Sequence, residues 1–520
     1  MRAKIPSPFM FKKILIANRG EIAVRILRAC REMGIASAAI YSDVDRASLH
    51  VRMADEAYRV GPGPSRESYL AIENVMAAAR QSGCDAIHPG YGFLAENAAF
   101  ARACADAGMI FIGPSAEAMG KLGSKTEARH LARETGVPTV PGTLEAIESV
   151  EKAGRIARET GFPVALKAIA GGGGKGIRCV EREADLAAAW RDAASEALNA
   201  FGDARLFIEK FLPRPRHVEI QVLGDSRGEM VYLGERECSV QRRYQKVIEE
   251  APSPIMTHEL RAAMGKAAVK LARAGGYTNA GTCEFLVDEA RNFYFLEMNT
   301  RLQVEHPVTE MVTSLDLVKL QIRIAAGEAL QLVQHEIEMR GNAIECRIYA
   351  EDPDNHFFPS PGKIADCVAP SGPGIRWDGG VYPGWSVPGE YDPLLAKLIV
   401  WGADRREAIA RLERALGETS FGGIRTNIEF LRRIVAERDF VHGEIHTRWL
   451  DEYLERAREA RANAGESIEE DAAVIVAALW HSSHDRAANH AATGANGAAP
   501  ESRWKSEGRR EQLDQVPKRS

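Results

Sequence analysis

Carboxylate and amide side chains concentrate in residues 281–307 of this sequence, a segment rich in β-forming residues. The runs EFLV and FYFLEMN flank Asp-Glu-Ala-Arg-Asn, a pattern that predicts a hairpin. If the hairpin is symmetric about residues 290 and 291, Glu284 lies opposite Glu297. Two opposed carboxylates repel each other unless a divalent cation lies between them, and oxygen ligands suit Mg²⁺. The segment therefore predicts a metal site.

The residues that follow extend this candidate site. If the extended conformation continues, strand parity places Glu297, Asn299, Arg301, Gln303 and Glu305 on one face. In order, that face offers metal ligands, a cation, an amide and a carboxylate. A solvated strand face would also be polar, but it would not carry this order beside aromatic core residues. We therefore interpret the face as catalytic.

A run of four glycines in PVALKAIAGGGGKGIR, residues 163–178, indicates a second functional element. Glycine carries a high entropic cost, but it lets backbone N–H groups approach phosphate oxygens closely. No GK[ST] follows, so the run is not a Walker A motif. The strand-like flanks favour a hairpin lid that covers a phosphate, and a flexible linker is the alternative. Lys167 lies on the strand before the glycines, and Lys125, near a predicted helix start, is either a phosphate ligand or a surface charge.

Further strand-like segments add polar groups to the candidate site. Residues 204–212 indicate a hinge strand whose backbone can hydrogen-bond an adenine, and His217 is either a core residue or a ligand. Lys246 belongs to a dense cationic stretch, CSVQRRYQKVIEEAP, that suits phosphate or bicarbonate. Arg347 lies on a predicted strand, where burial would require an anionic partner. Tyr91, in the loop HPGYG, either stacks on a flat ligand or is a half-buried structural residue.

The elements that must position these residues begin with a strand–helix–strand unit. KKILIAN predicts a buried strand, EIAVRILRACREMG a helix that Gly34 ends, and IASAAIYSDVD a second strand. This order predicts a parallel α/β unit. Its first turn is ANRGE rather than GxGxxG, so we do not expect a dinucleotide site there.

The whole chain has 520 residues, 45% of them hydrophobic, and a formal net charge of −5. It exceeds the roughly 250 residues of a single core, so we expect about two to four packed units. The lack of a basic excess argues against nucleic acid as a partner, and no apolar run reaches the roughly 18 residues that span a bilayer. The eight scattered cysteines form no CxxC pair, which favours reduced thiols in the cytoplasm. The N-terminus has no signal-peptide core, and translation from Met1 or from Met10 fits equally.

In order along the chain, these motifs resemble the biotin carboxylase component of biotin-dependent carboxylases, an ATP-grasp ligase. The resemblance spans about residues 11–454. The matching segments are KKILIANRGEIAVRI, HPGYGFLAEN, GGGGKGIR, EKFLPRPRHVEIQ, CSVQRRYQKVIEEAPSP, FLEMNTRLQVEHPVTE, FPSPGKI, YDPLLAKLIVWG and GIRTNIEFL.

The resemblance implies an α/β and α+β multidomain fold. A Rossmann-like N-terminal domain would occupy residues 10–123, and an ATP-grasp domain residues 124–335, with its glycine-rich lid at about 139–212. A β-rich C-terminal domain would occupy residues 340–454. Residues 455–520 lie beyond the resemblance. Their composition predicts a tail, helical at first, that is then either disordered or a docking segment for a partner protein.

The resemblance also implies roles for the residues at matching positions. ATP would be bound by Lys125, Lys167, Gly173, Gly174, Glu209, Lys210, Phe211, Leu212, His217, Tyr244, Glu284 and Glu297. Mg²⁺ or Mn²⁺ would be held by Glu284, Glu297 and Asn299. Bicarbonate would be bound by Lys246, Arg301, Gln303, Val304 and Glu305, with Glu305 as its base, and the biotin ureido ring by Tyr91 and Arg347. Tyr244 departs from the His or Asn that family members often carry, which puts its nucleotide contact in question.

The implied reaction is ATP-dependent carboxylation of biotin by bicarbonate through carboxyphosphate, with release of ADP and phosphate. No Met is followed by Lys, so the Ala-Met-Lys-Met context of a biotin acceptor is missing. We therefore expect biotin on a separate biotin carboxyl carrier protein, and the transfer step on a carboxyltransferase subunit. The resemblance also implies a homodimer.

The final carboxyl acceptor is left open by the sequence. It could be acetyl-CoA, as in fatty acid biosynthesis, or propionyl-CoA, another acyl-CoA or pyruvate. Two alternative functions also stay open. One is another ATP-grasp ligase that joins a carboxylate to an amine, and the other is a non-catalytic nucleotide-binding subunit.

Overall fold

The computed structural model describes residues 10–143, 145–169 and 177–464. The chain divides into two compact units, one that ends at Glu452 and one that begins at Tyr453. The second unit is described only for residues 453–464, which are helical. Residues 1–9 and 465–520, and with them most of the expected tail, lie outside the described ranges.

A parallel α/β arrangement opens the first unit. Its strands are β1 (Lys13–Ile16), β2 (Ala36–Ser42), β3 (Glu56–Gly61), β4 (Ala86–His88) and β5 (Ile110–Phe111). Its helices are α1 (Gly20–Glu32), α2 (Leu49–Met53), α3 (Ile72–Ser82), α4 (Ala98–Asp106) and α5 (Ala116–Gly123). The strands pair in parallel in the order β3-β2-β1-β4-β5. The predicted strand–helix–strand start is confirmed, and Gly34 follows α1 with a φ of +70°, which suits a helix-ending glycine.

A small antiparallel sheet follows, flanked by helices. Its elements are α6 (Lys125–Glu134), α7 (Val150–Thr160), β6 (Val164–Ala168), β7 (Ile177–Val180), α8 (Leu186–Phe201) and β8 (Leu206–Lys210). Strand β6 pairs antiparallel with both β7 and β8. The predicted hairpin around the glycine run is therefore confirmed. The connecting residues 170–176, which include Gly173 and Gly174, lie outside the described ranges.

Long antiparallel strands then form the centre of the unit. They are β9 (Arg216–Gly224), β10 (Met230–Arg242), β11 (Gln245–Ala251), β12 (Asn279–Val287) and β13 (Phe293–Asn299). The accompanying helices are α9 (His258–Ala274), α10 (His306–Thr313) and α11 (Leu317–Ala325). Val218, Ile220 and Val222 of β9 pack against α9 on one face. The polar face of the same strand is also buried, so both faces of β9 are covered.

The remaining elements include three strands that extend the central sheet, three two-stranded sheets (β15-β16, β17-β20 and β18-β22) and four helices. The strands are β14 (Asn342–Tyr349), β15 (Glu351–Asp352), β16 (Phe358–Pro359), β17 (Gly362–Lys363), β18 (Asp366–Val368), β19 (Ile375–Gly379), β20 (Ser386–Val387), β21 (Leu394–Gly402) and β22 (Ser420–Gly422). The helices are α12 (Arg405–Glu418), α13 (Ile428–Val435), α14 (Arg438–His442) and α15 (Trp449–Ala464). Strands β14, β21 and β19 join the central strands in one eight-stranded sheet, ordered β13-β12-β9-β10-β11-β14-β21-β19. Polar residues on distant parts of the sequence therefore meet on one sheet surface.

Within the described residues, none of the helices combines the length and the apolar character needed to cross a bilayer.

Candidate active site

Lys246, at the start of β11, lies at the centre of a group of buried carboxylates. Its ammonium group donates hydrogen bonds to Glu219 at 2.6 Å, Glu284 at 3.0 Å and Glu305 at 2.7 Å. These three residues come from β9, from β12 and from the residue before α10. Burial lowers the pKa of Lys246, but the three carboxylates raise it more, so the pKa lies well above its ordinary value. The lysine is therefore a fixed positive charge.

Glu305 links Lys246 to Arg347. One carboxylate oxygen of Glu305 accepts from Lys246, and the other accepts from Arg347 at 3.0 Å. Arg347 also contacts Glu249, so the predicted requirement for an anionic partner of Arg347 is met twice. Burial alone would raise the pKa of Glu305. Lys246, Arg347 and the nearby Arg236 lower it by more than burial raises it, so the pKa lies well below its ordinary value. Glu305 is therefore ionised.

Opposed carboxylates occupy the predicted hairpin. Glu284 of β12 pairs in register with Glu297 of β13, as the sequence predicts, and the turn spans residues 288–292. Glu284 also accepts from the amides of Asn299 at 2.8 Å and Gln303 at 3.0 Å. Glu297 forms an ion pair with Lys125 at 2.9 Å. Two facing carboxylates beside an amide oxygen form the hard oxygen donor set that Mg²⁺ or Mn²⁺ prefers, so these residues fit a divalent cation.

A second set of possible metal ligands, which includes a histidine, lies beside this hairpin. His217, Glu219 and Glu284 bring their ligand atoms within 4.8 Å of one another. His217 contacts Glu284 at 3.1 Å through Nε2, while its Nδ1 lies 3.0 Å from the Gln241 amide. His217 therefore lies inside the polar cluster rather than in an apolar core.

The strand-parity prediction is wrong beyond Asn299. Strand β13 ends at that residue, and the next backbone N–H, of Thr300, donates to Glu96 at 2.9 Å. The polar side chains still converge, because Arg301 bends back to Asn299 at 3.1 Å and to Gln303 at 2.6 Å. Arg301 also pairs with Glu96 at 2.9 Å. Val304 and Glu305 follow in a turn, with Glu305 at the N-cap position of α10.

A second group of charges lies on the small antiparallel sheet. Lys167 of β6 and Arg129 of α6 both bind the carboxylate of Glu209, on β8, at 2.6 and 2.5 Å. Lys210 turns the other way and donates to the carbonyls of Gly161 and Phe162 at 2.8 and 3.0 Å. The two residues after β8, Phe211 and Leu212, are half-buried. Of the predicted nucleotide residues on this sheet, Lys167 and Glu209 are therefore in contact, whereas the side chain of Lys210 binds elsewhere.

Two predicted residues lie at the margins. Tyr244, in the turn between β10 and β11, has a φ of +68° and is 67% exposed. Within the described chain no hydrogen bond joins it to the cluster around Lys246. Tyr91 is half-buried in the loop after β4, and its ring centroid lies 5.7 Å from the ammonium group of Lys397, the register partner of Arg347 on β21.

Three further residues complete the cluster. The alternation of residues 215–225 predicts Glu219 on one strand face with His217 but assigns it no role, and Arg236 and Glu249 were not singled out from the sequence. Arg236 is fully buried and donates to Glu219 at 2.5 Å, to Gln221 at 2.8 Å and to Thr309 at 2.8 Å. Glu219 and Glu249 are likewise fully buried. A buried charge without a partner is costly, so charged residues inside otherwise β-rich runs were the available signal.

Cys238 lies on β10 beside this cluster, 3.8 Å from Glu305. Burial and the neighbouring carboxylates raise the pKa of the Cys238 thiol well above its ordinary value. The thiol therefore stays protonated and is not an activated nucleophile.

Comparisons with known proteins match the chain to three family descriptions in succession. Residues 10–119 match "Biotin carboxylase, N-terminal domain", residues 124–333 match "Carbamoyl-phosphate synthase L chain, ATP binding domain", and residues 345–452 match "Biotin carboxylase C-terminal domain". Together these matches cover most of the chain.

Individual relatives agree with these matches. Biotin carboxylase 1 of Bacillus subtilis is 53% identical over 445 residues, which are 85% of this chain and 99% of that protein. The mitochondrial propionyl-CoA carboxylase alpha chain of Homo sapiens is 51% identical over 449 residues, which are 86% of this chain and 62% of that protein.

A solved structure carries the same fold. The biotin carboxylase domain dimer of Hydrogenobacter thermophilus 2-oxoglutarate carboxylase, in complex with MgADP, ADP and bicarbonate, superposes with a TM-score of 0.79 at 48% identity, and covers 86% of this chain and 98% of that chain. With an ATP-grasp sheet, a carboxylate cluster around Lys246 and these matches, the chain belongs to the biotin carboxylase family of ATP-grasp ligases.

Proposed function

We propose that this chain uses ATP and bicarbonate to carboxylate biotin, and that Glu305 is the base that activates bicarbonate. The observation that carries the proposal is the position of Glu305 between two buried cations, Lys246 and Arg347. Anionic substrates need such cations, and a base must lie within hydrogen-bond reach of the proton that it removes.

Bicarbonate is a poor nucleophile until it loses its proton. We place it between Arg301, whose planar guanidinium suits bidentate binding, and Lys246, with Gln303 and the Val304 backbone as further contacts. Glu305 takes the bicarbonate proton, and the bicarbonate oxygen attacks the γ-phosphorus of ATP. The bond to the ADP oxygen breaks, and carboxyphosphate forms.

The depressed pKa of Glu305 makes this carboxylate a weak base while Lys246 and Arg347 both donate to it. Binding of bicarbonate gives Lys246 a competing anion, and binding of biotin gives Arg347 a competing oxygen. Each new partner weakens the hold of its cation on Glu305. The carboxylate then becomes more basic when the substrates are in place.

ATP is placed along the small antiparallel sheet and its neighbours. Lys125 and Lys167 would contact the phosphates, with Gly173 and Gly174 of the lid above them. The segment Glu209, Lys210, Phe211 and Leu212 would bind adenine, and His217 the sugar side. Tyr244 would be a further nucleotide contact. Glu284, Glu297 and Asn299 would hold Mg²⁺ or Mn²⁺, which when bound neutralises charge on the phosphate oxygens.

We propose that biotin binds beside Tyr91 and Arg347. Carboxyphosphate breaks down to CO₂ and phosphate inside the covered site, which keeps water from the reactive species. Arg347 stabilises the negative charge that develops on the ureido oxygen when the released phosphate takes the proton from N1, and N1 then attacks CO₂. The contacts of Arg347 with Glu249 and Glu305 support this orientation of its guanidinium group.

We propose domain boundaries at 10–123, 124–335 and 340–454, with a lid at about 139–212 and a tail from 455. The family matches at 10–119, 124–333 and 345–452 support the three domain boundaries.

We also propose a homodimer that acts with a biotin carboxyl carrier protein and a carboxyltransferase. The Hydrogenobacter thermophilus relative is a dimer, which supports the homodimer. The eight free cysteines favour the cytoplasm. The relatives differ in acceptor, propionyl-CoA in one and 2-oxoglutarate in another, so the acceptor is left open.

The direct test measures ADP formation with free biotin, with and without bicarbonate. We expect ADP formation to depend on bicarbonate, and Arg301→Ala and Glu305→Gln to reduce it by about 100-fold or more. Arg261→Ala is the matched control, since Arg261 pairs with the buried Glu235 away from the cluster, at 2.6 and 2.8 Å. Unchanged rates in both site variants would disprove the assigned roles.

The same assay separates the alternatives. A ligase that joins a carboxylate to an amine would form ADP without bicarbonate when its amine is supplied, and avidin, which sequesters biotin, would not inhibit it. A nucleotide-binding subunit without catalysis would bind ATP but form no ADP in response to bicarbonate.

A further inference from the structure

Lys397 of β21 is a buried charge that the proposed reaction does not use. It is fully buried and is the register partner of Arg347 on β14. Its ammonium group donates to the carbonyl of Val304 at 2.8 Å and forms an ion pair with Glu21 of α1 at 3.1 Å. A buried lysine is costly unless it is paired, so these contacts hold it in one place.

The aromatic ring of Tyr91 faces the same lysine. The Lys397 ammonium group is 5.7 Å from the Tyr91 ring centroid, within the range of a cation–π contact. Asn18 fixes the Tyr91 loop independently, because its side-chain amide donates to the carbonyls of Pro89 at 2.6 Å and Tyr91 at 2.8 Å. Asn18 and Glu21 both belong to the ANRGE turn, for which nucleotide binding gives no explanation.

Close backbone packing allows Glu21 to reach Lys397. A Cβ atom at Gly380, just after β19, would lie 2.6 Å from the backbone nitrogen of Glu21 and 2.8 Å from the carbonyl carbon of Gly20. Glycine at this position therefore lets the start of α1 approach the β19–β21 edge of the central sheet. The ion pair depends on that approach.

We propose that Lys397, held by Glu21, is a positioning residue for Glu305, an inference that rests on the proposed function. The carbonyl of Val304 and the N–H of Glu305 belong to one planar peptide group. The hydrogen bond from Lys397 therefore fixes the rotation of that peptide and the direction in which the Glu305 side chain leaves the backbone. Through the Tyr91 ring, the same ammonium group also ties the biotin side of the site to the bicarbonate side.

The test compares steady-state constants for two substrates. Lys397→Met keeps the length of the side chain but removes the hydrogen bond, so we expect kcat/KM for bicarbonate to fall about 10- to 100-fold. The KM for ATP should stay within about twofold, because Val304, Glu21 and Tyr91, which Lys397 contacts, are not among the residues assigned to ATP. Glu21→Gln leaves the bond to Val304 in place and should change the bicarbonate constants less than Lys397→Met does.

Loss of the lysine leaves Glu21 as an unpaired buried carboxylate, which can prevent folding. The double variant Lys397→Met/Glu21→Gln removes both charges and gives the same kinetic readout in a chain without that carboxylate. Arg405→Met is the matched control, since Arg405 binds buried Glu250 at 2.7 Å and the carbonyl of Val441 at 2.7 Å. It should lower the melting temperature without changing the KM for bicarbonate.

The outcomes separate this inference from the proposed function. If the unmodified protein forms ADP in response to bicarbonate, but both Lys397 variants keep its kcat/KM for bicarbonate per folded enzyme and lose only melting temperature or the yield of folded enzyme, Lys397 is merely structural and the inference fails. If the unmodified protein shows no bicarbonate-dependent ADP formation, the proposed function fails and the inference fails with it. A lower kcat/KM for bicarbonate per folded enzyme, with an unchanged KM for ATP, supports both.

Discussion

Lys246 and Arg347 divide the carboxylate of Glu305 between them, at 2.7 and 3.0 Å on separate oxygens. Lys246 comes from β11 and Arg347 from β14, which are neighbours in the central sheet. The pairing of these two strands therefore brings together Lys246, the proposed cation for bicarbonate, and Arg347, the proposed cation for biotin. The first prediction concerns what happens when one of these cations is removed.

Lys246→Met should lower the free energy of unfolding by about 3–5 kcal/mol at pH 7, because it leaves buried carboxylates without their shared cation. The pKa values of Glu305 and Glu284 are lowered in the folded protein, so they add stability above their unfolded pKa that is lost as the pH falls. Without Lys246 their folded pKa values rise, and that stability is lost at a higher pH. Urea unfolding at pH 7 and acid titration, both followed by circular dichroism, measure the two effects.

Lys152→Met is the control for that experiment. Lys152 forms an exposed ion pair with Glu148, at 3.6 Å, so its loss should change stability by less than about 0.5 kcal/mol. An acid-unfolding midpoint that is the same in Lys246→Met and in the unmodified protein would contradict the electrostatic account of the cluster.

Removal of the metal ligands should change the response to Mg²⁺ rather than the fold. Glu297→Gln and Glu284→Gln each weaken the proposed oxygen donor set, so we expect the Mg²⁺ concentration for half-maximal ADP formation to rise about 10- to 100-fold. Glu289→Gln, in the exposed turn of the same hairpin, is the control. If the Mg²⁺ dependence of both site variants matches that of the control, the metal lies elsewhere.

The nucleotide side makes a separate prediction. Lys167 and Arg129 share the carboxylate of Glu209, so Lys167→Met leaves that carboxylate paired with Arg129 and the sheet intact. We expect the KM for ATP to rise about tenfold or more, because a charge-assisted contact to phosphate is lost, while the KM for bicarbonate stays within about twofold. Equal changes in both constants would show that Lys167 acts on the whole site and not on ATP.

The sequence predicted the parts of this site that depend on local pattern. The hairpin around residues 288–292, the opposition of Glu284 and Glu297, and the lid strands around the glycines follow from alternation and turn residues within short segments. The strand-parity prediction is wrong after Asn299, where the backbone N–H of Thr300 donates to Glu96 from the N-terminal region. No local pattern contains that contact.

The buried partners of the cluster could not be predicted for the same reason. Arg236 and Glu219 form a pair because β9 lies beside β10, and Lys397 reaches Val304 because α10, which follows Val304, packs on β21. The order of strands in an eight-stranded sheet sets these contacts, and that order depends on packing between segments far apart in the sequence.

Glu345 supplies the last prediction. It is fully buried opposite Glu249 on β11, and among the described residues neither of its carboxylate oxygens has a hydrogen-bond partner. Burial, opposed in part by Lys397 and aided by Glu249, raises the pKa of Glu345 well above its ordinary value, so the folded protein keeps this group protonated. Stability from that proton is present below the unfolded pKa, near 4.5, and is lost as the pH rises toward the folded pKa.

Glu345→Gln cannot ionise. We therefore expect its free energy of unfolding to exceed that of the unmodified protein by about 1–3 kcal/mol at pH 8 and by little at pH 5, measured by urea unfolding at both pH values. Glu413→Gln, an exposed substitution on α12, should show no difference between the two pH values, and an equal effect of Glu345→Gln at pH 5 and pH 8 would show that Glu345 is not protonated in the folded protein.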